Sequence, residues 1–214
     1  MAIDAAEPFF TPAEERELAG YLVLHRCALR SVETLLVNMN DCYAQLAEVN
    51  PIEHIKCRLK SPDSIAAKLA GRGLPVTARS AIDNLTDIAG ARVICCYSKD
   101  IDEIVAAITG HEELEVVTAK DYVTQPKPSG YRSYHLVVRV WPGGHFGTTP
   151  CPVEIQIRTA AMDFWASLEH RVRYKFHGDI PDHLSKELRA CADKTHELDE
   201  RLYLIHELVD LINE

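Results

Sequence analysis

Val153-Glu154-Ile155-Gln156-Ile157-Arg158 alternates apolar and polar residues without a break. A two-residue period marks a β-strand whose two faces meet different surroundings. Val153, Ile155 and Ile157 turn one way, and Glu154, Gln156 and Arg158 turn the other. Three polar groups on one strand face ordinarily mean solvent. Here the opposite face is β-branched, and a helix is expected straight after it, from about Thr159 to Tyr174. That combination suits a sheet covered on both sides except at a cleft.

Working outward, Ala91–Tyr97, Leu114–Ala119 and Ser133–Val140 read as further strands, with a helix from about Asp100 to Thr109 between the first two. Shorter helices are expected from Pro62 to Gly71 or Gly73 and over Ala78–Leu85. At the start, Thr11-Pro12-Ala13-Glu14 combines an N-cap, a proline at the first helical position and a capping-box acid. Leu18, Leu22, Leu29, Val32, Leu36, Met39, Tyr43 and Leu46 follow at helical spacing, giving one long helix or two with a break near His25. Gly178-Asp179-Ile180-Pro181-Asp182 introduces a last helix. There Leu184, Leu188, Cys191, Thr195, Leu198, Leu202, Ile205, Val209 and Ile212 form a heptad seam. One seam needs a partner, either the N-terminal helix or another subunit. The expected fold is α+β: a mixed sheet of four or five strands flanked by helices, with long N- and C-terminal helices. Residues 1–49 form an N-terminal helical extension, 50–178 the central domain and 179–214 a C-terminal amphipathic helix.

The 214 residues carry a net charge of −9, which argues against wrapping duplex DNA. The charge is uneven. Residues 1–55 hold three Arg against nine acids, and residues 179–214 hold four basic residues against ten. Between them, residues 56–79 carry Lys56, Arg58, Lys60, Lys68, Arg72 and Arg79 against Asp63 alone. A basic middle between acidic ends suits a small polyanion held locally. The seven cysteines form no CxxC pattern and suggest reduced, mostly packed thiols. No apolar run is long enough to span a membrane, and the acidic Met1–Glu7 lacks the order of a secretory signal. The expected location is the cytoplasm.

Three stretches can carry chemistry. Glu154 on the polar strand face can ligate Mg²⁺, with Asp87, just before the Ala91–Tyr97 strand, as a second ligand. Arg58-Leu59-Lys60-Ser61-Pro62-Asp63-Ser64 opens a helix whose free N–H groups and basic side chains can hold a phosphate chain, with Lys68 on the same helix face as Ser64. Lys120-Asp121-Tyr122 and Lys127-Pro128-Ser129-Gly130-Tyr131-Arg132-Ser133-Tyr134-His135 combine a loop with an aromatic ring for stacking and cations for phosphate. No GxxxxGK loop, GxGxxG, Gly-Xaa-Ser-Xaa-Gly or HExxH occurs. The residues alone therefore reach a phosphate-binding α/β domain and stop there.

These stretches, with Asp87-Ile-Ala-Gly-Ala-Arg-Val93, Glu154-Ile-Gln-Ile-Arg-Thr159 and Met162-Asp-Phe-Trp-Ala-Ser-Leu-Glu-His170, resemble in order and spacing the synthetase domain of the RelA/SpoT family. The short chain is similar to that family's small alarmone synthetases. The resemblance implies a nucleotidyltransferase-like fold and transfer of pyrophosphate from ATP to the 3′-oxygen of GDP or GTP, making ppGpp or pppGpp. It implies Mg²⁺ on Asp87 and Glu154, and adenine between Arg58 and Arg92. The ATP phosphates would lie on Lys60, Ser64 and Lys68, and guanine on Tyr131 with Asp163 at its edge. Lys120, Lys127 and His135 would lie near the acceptor phosphates. Gln156, Arg158 and His170 would complete or support the pocket, with Arg171, Arg173 and Lys175 adding charge. It also implies a homo-oligomer, often a tetramer, and in some relatives control by (p)ppGpp or single-stranded RNA. No His-Asp dipeptide occurs, so alarmone hydrolysis is not expected. The competing readings are another nucleotidyl- or pyrophosphotransferase on this scaffold, and a catalytically weak protein that binds nucleotides or single-stranded RNA.

Overall fold

The computed structural model describes residues 9–176 and 180–213. Met1–Glu7, the Gly178-Asp179 lead-in to the last helix and the side chain of Lys175 lie outside the described residues. Strands β1 (Ile52–Leu59), β2 (Ala89–Cys95), β3 (Glu115–Asp121), β4 (Tyr134–Val140) and β5 (Cys151–Thr159) form one sheet in the order β1-β2-β5-β4-β3. β2 and β5 run parallel and the other neighbours antiparallel, so the sheet is mixed. The helices are α1 (Pro12–Leu46), α2 (Pro62–Gly71), α3 (Ala78–Asn84), α4 (Asp100–Thr109), α5 (Ala160–Lys175) and α6 (Asp182–Asn213).

The fifth strand is β1, in a stretch where the pattern suggested no element. Ile55, Cys57 and Leu59 pack against the core, while Lys56 and Arg58 share the other face with Arg92 and Gly90. A bulge between Ile52 and His54 shifts the phase, and charge on the outer face hides the alternation. β2 starts two residues before the expected Ala91, because Ala89 and Gly90 pair with Leu59 and Arg58.

The β-branched face that β5 announced is buried. Val153, Ile155 and Ile157 meet Leu136 and Val138 of β4, with Leu29, Val32 and Leu36 of α1 and Ile101, Ile104 and Ile108 of α4 laid over them. α1 is continuous through His25, whose burial pushes its imidazole pKa down. Thr11 and Glu14 close the expected capping box. Leu46, expected in the apolar stripe, is 84% exposed, whereas Leu24 and Leu35 join the core. The first turns of α1 pack with α2 and α3 through Leu18, Ile65, Leu69, Ala81 and Leu85.

α6 docks through residues beside the seam, whose first half is itself half-buried at Leu184, Leu188 and Thr195. Ala192 packs on Trp165 and Ala166, Asp199 accepts a 2.7 Å hydrogen bond from the buried Thr159 hydroxyl, and His206 stacks on Tyr97. Leu198, Leu202, Ile205, Val209 and Ile212 remain exposed, and α6 does not run along α1. The N-terminal helix is therefore not the partner of the seam.

Candidate active site

Register lines up two rows of side chains across the uncovered face. Lys56, Arg92, Gln156, His135 and Lys120 are successive cross-strand partners over all five strands. Arg58, Gly90, Glu154, Val137 and Thr118 form the neighbouring row. Gly90 opens a gap between Arg58 and Glu154. A Cβ there would approach only backbone oxygens, at 3.9 Å, so the gap is room for a ligand and not a packing need.

Two hollows flank this gap. The smaller, about 350 Å³, lies over β1 and β2 between Lys56, Arg58 and Arg92. The larger, about 620 Å³, is bounded by Lys68 and Arg72 of α2, Thr118 and Lys120 of β3, the loop residues Lys127 and Tyr131, and Glu169 and Arg173 of α5. Asp87, Glu154 and Gln156 line both. The two basic compartments meet at an acidic pair.

Each carboxylate of the pair is held ionised. Burial pushes the Asp87 carboxyl up, but hydrogen bonds and charge from Lys60 and Lys68 outweigh it and hold the pKa below its ordinary value. Lys60 Nζ lies 2.6 Å from Asp87 Oδ2 and Lys68 shares the same oxygen, while Oδ1 is buried without a hydrogen-bond partner among the described residues. Burial likewise opposes the charge of Glu154, and His135 and Gln156 together overcome it. An ion fits this junction. Asp87 Oδ1 is an oxygen in need of a partner, Glu154 senses the Asp87 charge, and among the described residues no third acidic, His or Cys side chain completes a metal cage. Two carboxylates with the remaining positions left to water and phosphate is the habit of Mg²⁺.

Beneath the larger hollow, five side chains close a ring. Arg158 Nη2 donates to Gln156 Oε1 at 2.6 Å and to the Tyr131 hydroxyl. Tyr131 Oη lies 2.8 Å from His135 Nε2, His135 Nδ1 lies 3.4 Å from Glu154 Oε1, and Gln156 Nε2 donates to Glu154 Oε2 at 2.7 Å. Arginine can only donate, so the phenol accepts from it, and the bond between the phenol and His135 Nε2 can run either way with the tautomer of the ring.

Of the residues expected at the site, Arg58, Lys68, Asp87, Arg92, Lys120, Lys127, Tyr131, His135, Glu154 and Gln156 line the hollows. Lys60 reaches them through Asp87. Ser64 lies at the exposed start of α2, its hydroxyl 2.9 Å from that of Ser61. Asp163 Oδ1 receives both Arg92 and Arg158, at 2.8 and 3.1 Å. Arg158 supports the pocket from behind and lines neither hollow. It is 4% exposed and donates to Ser133, Asp163, Tyr131 and Gln156, so its guanidinium is committed to the protein and not to a ligand. His170 is exposed and, like Arg171, lines neither hollow, whereas Arg173 does. Thr118 was missed, although it stands two residues before Lys120 and so on the same strand face, and Lys56 and Arg72 were read only as part of the basic stretch. Gly90 and Glu169 were also missed.

A five-stranded mixed sheet with an acidic pair between two basic hollows defines a domain that brings two phosphorylated ligands together. The profile of the region found in RelA / SpoT proteins matches residues 57–179, and the chain belongs to the RelA/SpoT family. It is 41% identical over 189 residues to GTP pyrophosphokinase YwaC of Bacillus subtilis (strain 168), covering 88% of this chain and 90% of that one. It is 33% identical over 189 residues to GTP pyrophosphokinase YjbM of the same organism, covering 88% of each. Among solved structures it is similar to small alarmone synthetase 1 from Bacillus subtilis bound to its product pppGpp. That match has a TM-score of 0.84 and 34% identity over 91% of this chain and 98% of the other. Small alarmone synthetase 2 from the same organism matches with a TM-score of 0.80 and 39% identity, over 89% and 98% of the two chains.

Proposed function

We propose that this protein is a (p)ppGpp synthetase that transfers the β,γ-pyrophosphoryl group of ATP to the ribose 3′-hydroxyl of GDP or GTP and releases AMP. The carrying observation is the meeting of two basic hollows at Asp87 and Glu154, since donor phosphorus and acceptor oxygen must come together at one point. The relatives, named GTP pyrophosphokinases, support the same reaction.

ATP is assigned to the smaller hollow, its base between Arg58 and Arg92 and its phosphates toward Lys60, Ser64 and Lys68 at the start of α2. The guanosine nucleotide is assigned to the larger hollow, its base on Tyr131, its phosphates toward Lys120 and Lys127, and the second oxygen of Asp163 toward the guanine edge. Asp87 and Glu154 would hold Mg²⁺, which when bound supplies positive charge to the phosphate oxygens. Lys60 and Lys68 neutralise Asp87 until a triphosphate draws them away. Glu154 would accept the proton of the 3′-hydroxyl, a role supported by its lowered pKa beside His135 and Gln156. A regulator that only binds RNA is not favoured, because two carboxylates at the centre of the cleft oppose a polyanion. The reading extends to synthesis without alarmone hydrolysis, by a cytoplasmic homo-oligomer, a tetramer. No helix among the described residues is long and apolar enough to cross a membrane.

Incubation of the purified protein with ATP, Mg²⁺ and GMP, GDP or GTP, followed by chromatography, is expected to yield AMP together with ppGpp from GDP and pppGpp from GTP. Mixtures free of AMP would overturn the assignment. Two variants test the division of the cleft. Tyr131→Ala is expected to raise the KM for the guanosine nucleotide about tenfold, the worth of one base stack, with much less effect on ATP. Separate saturation curves check this, and an ATP-dominated loss contradicts it. Gly90→Val is expected to weaken binding of a non-hydrolysable ATP analogue at least about tenfold by filling the gap beside Arg58, while thermal melting stays near wild type. Calorimetric titration with unchanged affinity would remove Gly90 from the donor hollow.

A further inference from the structure

We infer that α6 forms part of the acceptor site and that Arg189 is a positioning residue for the guanosine nucleotide, acting through the loop Lys127–Tyr131. The inference rests on the assignment of the larger hollow to the acceptor. The loop is a closed turn: the Lys127 N–H donates to the Tyr131 carbonyl at 3.1 Å and the Gly130 N–H to the Lys127 carbonyl at 2.8 Å. The turn has no strand pairing: its Tyr131 end is tied to the sheet through His135 and Arg158, and the backbone of Lys127–Gly130 takes its position from what it rests on. It rests on α6. Arg189 Nη1 donates to the Pro128 carbonyl at 3.1 Å and the Lys127 carbonyl at 3.4 Å, while Nε is held by Asp193 at 3.1 Å.

Gly130 shows how close the seat is. Its φ of +90° lies in the region that favours glycine, and a Cβ there would stand 2.5 Å from Ala192 Cβ and 3.0 Å from Arg189 Cδ. The Tyr131 ring continues the contact by packing against Trp165, Ala166 and Ala192. The Trp165 indole in turn donates to the Leu188 carbonyl of α6 at 3.0 Å. Lys127 and Tyr131 therefore present their side chains to the larger hollow from a backbone pinned by a helix that lies beyond the matched family segment. This docking edge is distinct from the exposed apolar seam of the same helix.

A loop released from this clamp spends only part of its time in the competent position, and the apparent affinity falls by that fraction. The donor hollow over β1 and β2 does not depend on the loop. Arg189→Ala is expected to raise the KM for GDP about fivefold, with the KM for ATP and kcat at saturation within about twofold of wild type. Arg189→Lys, which keeps one donor, is expected to recover part of the loss. Asp193→Asn removes the pair within the helix but leaves the carbonyl contacts, and is expected to stay near the wild-type GDP curve. An unchanged KM for GDP in Arg189→Ala, an equal rise for both substrates, or the same effect from Asp193→Asn would overturn the inference. Amide exchange of residues 127–131 gives a readout independent of turnover. Faster exchange in Arg189→Ala is expected, and unchanged protection would refute the clamp. Wild-type protein without turnover would instead refute the assigned reaction.

Discussion

Glu154→Gln is expected to lower turnover of ATP with GDP about a thousandfold or more while leaving the melting temperature close to wild type. The two halves of this result have separate causes. Glu154 is flanked by His135 at one oxygen and Gln156 at the other; a glutamine there keeps its oxygen for Gln156 Nε2, and the imidazole can switch tautomer to accept from its amide nitrogen. The interior therefore loses little. What the amide cannot do is accept a proton near neutral pH or lend a negative charge to a cation at the junction with Asp87. Initial rates by chromatography, paired with a thermal melt, separate chemistry from scaffold. Turnover at the wild-type rate would remove Glu154 from the reaction, and a parallel loss of stability would point to the ring around His135 and not to proton transfer.

How far such an outcome was legible depends on which interaction fixes each residue. The alternation in β5 identified Glu154 and Gln156 as cleft residues because a strand has only two faces. It could not show that Lys56, Arg92, Gln156, His135 and Lys120 lie in one row, since that row exists only once four strand pairings have set their register. The same alternation put Arg158 on that face but could not show its burial. In register it stands beside Ile94, which is fully buried, so this end of the sheet is covered although the face is polar further along. β1 went unread because its outer positions are occupied by cations that serve the cleft, and a bulge breaks its phase. In α6 the heptad pattern was real, yet the helix docks by Ala192, Asp199 and His206, a stripe in which small and polar residues meet partners that no periodicity reveals.

Arg158→Ala is expected to cost about 3 kcal/mol of stability, lowering the melting temperature by roughly 10 °C, and to weaken the guanosine nucleotide as well. Burial lowers the pKa of this guanidinium, and Tyr131 and Asp163 support its charge. Its removal leaves the Gln156 carbonyl without its donor, takes one partner each from the Ser133 hydroxyl and the Tyr131 phenol, which keep Ile157 and His135, and leaves Asp163 with Arg92 alone. Unsatisfied groups in a dry interior cost more than the bonds contributed, so the stability loss should exceed that of any exposed arginine here. The loss of substrate follows from geometry. Tyr131 and Gln156 no longer have a common anchor, and the stacking ring and the orienting amide drift independently. Arg158→Lys should restore little of either property, because one ammonium cannot span donors aimed at Ser133, Asp163, Tyr131 and Gln156. A lysine variant that melted and bound GDP like wild type would reduce the role of Arg158 to its charge, and an alanine variant that melted like wild type would mean the ring holds itself closed.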